Sequence, residues 1–341
     1  MSGIPRSEAM DKYYSNLLVL ERDQKEGIFC KGRGWQIAFE PNPSCGIGIR
    51  PHGEPAKEIV VLANSVDRAQ YAVDLVFAAY CLDAAELLAD EPNRVFSKRP
   101  TTTRDIAKHL LEGRGKPIGV FHLPVACLVA AKASHRRAHQ NALFKYVVSH
   151  RVVPLAHNVL EPHYGWAPGR IVSGSPSEYV FNAHAIIAAY SVLEELSLEL
   201  RASQENPSRI NGQWNPIVKR ELEDRLLKSN IDLSERIIWS RRGSPTKIER
   251  QRPLSGEDGC EWNSANVRDV MVEVTDAIAY ASWLRSKISS HRLGTLAGSL
   301  TVCDVANLQN LARRLLQEAL GFWRYYERHP ELLRLYQDTF P

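Results

Sequence analysis

Arg285 and His291 are the two side chains of this 341-residue chain whose types and spacing could do chemistry. A guanidinium is a permanent phosphate clamp, and an imidazole can move a proton near neutral pH. Together they can cut an RNA backbone without a metal. A neutral histidine takes the proton of the ribose 2′-OH as that oxygen attacks phosphorus, and the arginine stabilises the charge that builds on the non-bridging oxygens. The products would be a 2′,3′-cyclic phosphate and a 5′-OH. DNA, lacking the 2′-OH, could not be cut this way.

The spacing is not selective by itself, since Arg104/His109, Arg151/His157 and Arg324/His329 share it. Position sets Arg285/His291 apart, near the C-terminal end of the third of four consecutive helical segments. An arginine and a histidine there also suit the negative end of a helix dipole and its free carbonyls, which is the purely structural alternative. Six residues at about 100° each put His291 roughly 120° round an ideal helix from Arg285 and about 9 Å along it. One copy therefore converges both heads on a phosphate only if the helix ends between them. Ser289-Ser290 and then Gly294 offer such an ending. A second copy across a two-fold axis would also supply the missing groups, so dimerisation becomes a mechanistic requirement.

The elements that must position the pair are legible as periodic runs. From Ser177 to about Arg201, Val180, His184, Ile187, Ser191, Leu193 and Leu196 mark one helix. Pro216, at a first-turn position, opens a second that runs to about Lys228. A third, from Ala265 to about Ser290, carries Val267, Val270, Val274, Ile278 and Ala281 at helical spacing. The fourth begins near Asp304 as its cap and continues through Leu308, Leu311, Leu315 and Leu316. Four such helices form an antiparallel bundle most simply.

That helix order, the stretch Leu284-Arg285-Ser286 through His291, and the final Ala306-Asn307-Leu308-Gln309-Asn310-Leu311-Ala312-Arg313 helix resemble the HEPN superfamily. Its nucleases carry an R-x(4–6)-H motif, and the resemblance covers roughly residues 177–325. It implies a dimer of helical bundles that brings two motif copies into one cleft, with Arg285 and His291 catalytic. It also implies a metal-independent endoribonuclease without cofactor, serving as a toxin or phage-defence effector that acts on tRNA or mRNA. An activator or antitoxin partner belongs to that expectation. Members often carry Asn, Asp or His directly after the arginine. Here Ser286 stands there, and with Lys287 it is read as supporting the site.

Ahead of the bundle, the chain reads as a domain over residues 1–165, followed by the HEPN-like bundle over 177–328; the fold class is mainly α, α+β overall. Short apolar runs at Ile28–Cys30, Trp35–Phe39, Gly46–Ile49 and Ile59–Leu62, separated by Gly- and Pro-rich turns, predict a small antiparallel sheet. Helices follow from Asn64 or Ser65 to about Ala89, from Thr103, and from Pro124 to about Val148. The Gly- and Pro-containing segment from Pro162 to Ser177 is read as the domain boundary, and the long run from Ile231 to Asn263 as a linker.

Composition bounds the class. Hydrophobic residues make up 44% and charged ones 24%, as in a soluble globular protein, and the net charge of +4 is too mild to name a partner. The six cysteines are scattered, with no C-x-x-C, and read as small buried apolar residues. The first residues lack a signal-peptide core, and the most apolar run, Tyr71 to Leu88, is broken by Asp74, Asp83 and Glu86. A cytoplasmic protein without a membrane span is expected.

Two further groups of residues carry chemistry-bearing patterns. Arg236, Trp239, Arg241, Arg242, Lys247, Arg250 and Arg252 interleave cations with an aromatic, a pattern that tracks a phosphate backbone and stacks a base, though a solvated loop has the same composition; Arg292, beside His291, could touch phosphate or only solvent. His135 and His139, spaced one helical turn apart, match a metal-ligand spacing. The arginines between them repel a cation, so no metal is expected. The rival to the nuclease is a non-catalytic HEPN-like bundle that binds RNA, nucleotide or protein as a sensor or scaffold.

Overall fold

The computed structural model describes residues 10–19, 27–41, 57–84, 95–97, 118–120, 123–153, 176–242, 258–262, 267–289 and 300–324. The fold is mainly helical, with seven helices among the described residues. It divides into two compact units, Met1–Asp83 with Leu88–Gln140 and Arg324–Pro341, and Ala84–Leu87 with Asn141–Trp323. The division at Gln140/Asn141 falls near the start of a helix. Most of the Pro162–Ser177 segment, and the expected Gly46–Ile49 strand and Thr103 helix, lie outside the described residues.

In the first unit, strands β1 (Asp11–Val19), β2 (Gly27–Gly32), β3 (Trp35–Pro41) and β4 (Lys57–Ala63) form an antiparallel sheet in the order β2-β3-β4-β1. The short β5 (Val95–Phe96) pairs antiparallel and β6 (Ile118–Val120) parallel with β1. Period-two alternation explains its core. Trp35, Ile37 and Phe39 face Ala63, Val61 and Ile59 across the β3–β4 ladder, and all six are fully buried. The β2–β3 turn needs Gly34, whose φ of 78° is left-handed. Helix α1 (Val66–Ala84) starts where expected, with Ser65 Oγ accepting from Arg68 N at 3.2 Å.

The single helix expected after Pro124 is two. Helix α2 (Leu123–Ala133) and helix α3 (Arg137–Val152) are separated by a turn at Ser134 and His135. The break is made by side chains. Ser134 Oγ donates to Ala131 O at 2.6 Å, and Gln140 Nε2 donates to the Ser134 carbonyl at 2.7 Å. No Gly or Pro marks this point.

In the second unit, α4 (Pro176–Glu195), α5 (Pro216–Lys228), α6 (Val274–Ser289) and α7 (Val302–Leu320) are the four expected helices. Helix α4 packs chiefly on α7, and α6 packs on α4, α5 and α7. The unit is not helical alone. Strands β9 (Arg236–Arg242), β10 (Asp258–Trp262) and β11 (Val267–Glu273) form an antiparallel sheet in the order β10-β11-β9. Two expectations are corrected by it. The stretch read as a linker contains β9 and β10, and the helix expected from Ala265 begins only at Val274, after β11. Val270 and Val272 are buried at strand spacing, whereas Val274, Ile278 and Ala281 are buried at helical spacing.

The ends of these helices are set locally. A hairpin of β7 (Arg209–Ile210) and β8 (Gln213–Trp214) is pinned to the first turn of α6. There the buried Asp276 carboxylate accepts from Arg209 Nη2 at 2.6 Å and Trp214 Nε1 at 2.8 Å. The cap of α7 is Thr301, not Asp304. Asp304 is the third helical residue of a capping box, with Thr301 N donating to its Oδ2 at 2.8 Å.

Candidate functional site

Helix α6 delivers the arginine of the motif. Its inner stripe, Ala277, Ala281, Leu284 and Ile288, is buried, which fixes the rotation of the helix. That rotation leaves Arg285 part-exposed and Ser286 and Lys287 exposed, all in its final turns. Ser286 Oγ donates to the Trp283 carbonyl at 2.7 Å, the back-bond common for serine within helices. His291 and Arg292 lie outside the described residues, as do Lys247, Arg250 and Arg252.

Arg285 has a partner that spacing gave no sign of. Its Nη2 lies 3.1 Å from Oε1 of Glu194, near the C-terminal end of α4, with side-chain exposures of 42% and 37%. One turn further back, Tyr190 on α4 is buried beside the half-buried Ser282 of α6. Burial pushes the Tyr190 phenol above its ordinary value, and the neighbouring Glu194 carboxylate adds to this. Tyr190 is therefore a neutral hydrogen-bonding group across the physiological range. Glu194 and Tyr190 belong to a helix that the sequence identified, but nothing in their spacing tied them to Arg285.

The basic segment does not assemble as expected. Trp239 is only 2% exposed and packs edge-on against Tyr280 of α6, with ring centroids 5.5 Å apart. Its burial corrects the base-stacking assignment: Trp239 is a core residue that docks β9 on the helix carrying Arg285. Strand alternation put it inside with Ile237, while Arg236 and Ile238 face out. Arg241 and Arg242 close the same strand, opposite Arg268 and Val267 of β11.

The histidine pair is also separated. His135 sits exposed in the α2–α3 turn, whereas His139 lies on α3 and is buried. They are not stacked on one helix. Among the described residues, no group of three or more His, Cys, Asp or Glu side chains is arranged to hold a metal. His139 Nδ1 is buried without a hydrogen-bond partner, and burial, reinforced by the Arg136 and Lys132 cations, pushes its imidazole down to about 4.

His139 is thus neutral in the fold at pH 7 and titrates near 6.5 when unfolded. The unfolded chain binds the extra proton first, so stability present above pH 6.5 is lost as pH falls toward 4. The loss is at most about 3 kcal/mol at 1.36 kcal/mol per unit. Urea midpoints measured from pH 7 to pH 4 should show His139→Gln with a flatter dependence than the wild type. Parallel curves would remove His139 as the cause.

Cys30, Cys81, Cys127 and Cys303 are buried thiols. No described helix is long and apolar enough to cross a membrane. Against known proteins, the chain matches no family model, no curated protein and no solved structure.

Proposed function

We propose that the second unit is a metal-independent endoribonuclease of HEPN type. Arg285 clamps the scissile phosphate, and His291 moves a proton to or from the ribose 2′-OH or the leaving oxygen. The observation that carries the reading is the placement of Arg285. It stands part-exposed near the end of a helix whose inner stripe is locked into the core, so the guanidinium is held at the surface with His291 six residues on. Its ion pair among the described residues is a surface pair, and such pairs contribute only about 0–1 kcal/mol, so a phosphate can displace it. Lys287 adds positive charge at the same helix end, and Ser286 a hydroxyl. A homodimer that joins two copies of the motif belongs to the same reading, as do a role in toxicity or phage defence, an activator or antitoxin partner, and action in the cytoplasm.

A second reading has one observation in its favour: the Glu194 carboxylate already answers the Arg285 cation. On that view the unit binds RNA or protein without cutting it. Incubation with total RNA and tRNA in EDTA separates the two. The wild type should leave 2′,3′-cyclic phosphate ends, and His291→Ala, folded to the same melting temperature, should leave none. Equal cleavage by both proteins would remove His291 from the mechanism, and uncut RNA in both would move the protein to the binding reading.

A further inference from the structure

Glu194 lies where a substrate would have to go. Its carboxylate stands 3.1 Å from the Arg285 guanidinium, as the oxygen of a bound phosphate would. Both side chains are long and more than a third exposed, while Tyr190 and Leu193 of α4 and Ala281 and Leu284 of α6 are buried. The helices are therefore fixed, and only the two exposed heads need move. Arg285 has no other charged partner among the described residues.

We propose that Glu194 is a charge gate on Arg285: its carboxylate occupies the phosphate position, and incoming RNA must displace it. The inference rests on Arg285 being the phosphate clamp, as read above. Glu194 could instead help by holding the arginine in place, and magnitudes decide between the two. An exposed pair favours its held geometry by at most about fivefold. Once displaced, the carboxylate stays on its helix beside the arginine, and at roughly 6 Å from the phosphate it repels by about threefold with the screening of bulk water. At the effective dielectric near a protein surface the factor is about a hundredfold. Repulsion outweighs preorganisation, so removal of the charge should tighten binding. Competition with the carboxylate also selects for a ligand of high charge density, a phosphodiester backbone, over a single carboxylate.

The test is a double-mutant cycle on the full chain, with Glu194→Gln, Arg285→Ala and the pair together. The probe is a labelled single-stranded 2′-O-methyl oligonucleotide, whose blocked 2′ oxygen prevents cleavage, and binding is read by fluorescence anisotropy at low ionic strength. Glu194→Gln should lower Kd by about three- to tenfold when Arg285 is present, and by much less in the Arg285→Ala background. Added salt should shrink the gain. An unchanged or weaker Kd in Glu194→Gln would overturn the gate. So would equal tightening in both backgrounds, which is a nonspecific charge effect, or the absence of any Arg285-dependent binding. Cleavage of unmodified RNA by the same four proteins keeps the two ideas apart. A coupled cycle with no cleavage leaves the gate standing and removes the nuclease. Arg285-dependent cleavage with an uncoupled cycle does the reverse.

Discussion

Arg285→Ala is expected to lower RNA cleavage by about 10²–10³-fold or more while the fold stays intact. The factor is that for removing one preorganised donor to a developing oxyanion, here the charge on the non-bridging oxygens. Stability should change by less than about 1 kcal/mol, because the side chain is part-exposed and loses only a surface ion pair to Glu194. Arg285→Lys keeps the charge and loses the planar fork, so its rate should fall between those of Arg285→Ala and the wild type. Initial cleavage rates of the three proteins, read beside their thermal melts, are the check. A full rate in Arg285→Ala would mean that the phosphate is held elsewhere. A rate lost together with the melting transition would mean that the arginine is structural.

The arginine's place was readable because helical periodicity is a strong signal where it stands alone. Val274, Ile278 and Ala281 carry that spacing, and the structure buries all three in α6 while Arg285 stays part-exposed. Ahead of Val274 the same signal misleads. Val270, Val274 and Ile278 are four apart and read as one helix, while Val270, Val272 and Val274 are two apart and read as a strand. The chain uses both, changing from β11 to α6 without a Gly or Pro between them. Local pattern does not decide such a run. Its pairing with β9 does, over all seven residues from Val267 to Glu273.

The same limit applies to what tertiary partners create. The α2–α3 break depends on Gln140 reaching back to the Ser134 carbonyl, which no turn residue announces. The Trp239 region reads as basic and soluble from composition, yet alternation along β9 buries the indole under Tyr280. Its surface was inferred from charge when its period was the better guide. Glu194 became part of the candidate site only once α4 lay beside α6. Sequence therefore singled out Arg285 and left its ion-pair partner unseen.

Asn307→Leu should be among the most destabilising single changes in the second unit, by about 3 kcal/mol, although leucine suits a buried helix position. Among the described residues, strand β9 is an edge of its sheet, and Ser240 on it is buried. Asn307 of α7 takes the place of a neighbouring strand. Its Oδ1 accepts from Ser240 N at 2.8 Å, and its Nδ2 donates to Ser240 O at 2.9 Å. A side-chain amide is the group that offers a donor and an acceptor at the spacing a peptide would. Leucine would remove both of these hydrogen bonds to the buried Ser240 backbone, at about 1–3 kcal/mol each. Asn307→Asp keeps the acceptor but turns the donor into an oxygen facing the Ser240 carbonyl, and should also destabilise. Urea unfolding is the measurement, with a lower midpoint and an unchanged slope expected for both. A cost below about 0.5 kcal/mol for Asn307→Leu would show that Ser240 finds other partners. The consequence reaches the candidate site, because β9 carries Trp239 and Trp239 packs on α6. Loss of the amide clamp loosens the docking of β9 on the helix that carries Arg285, so cleavage should fall in the same variants even where they remain folded.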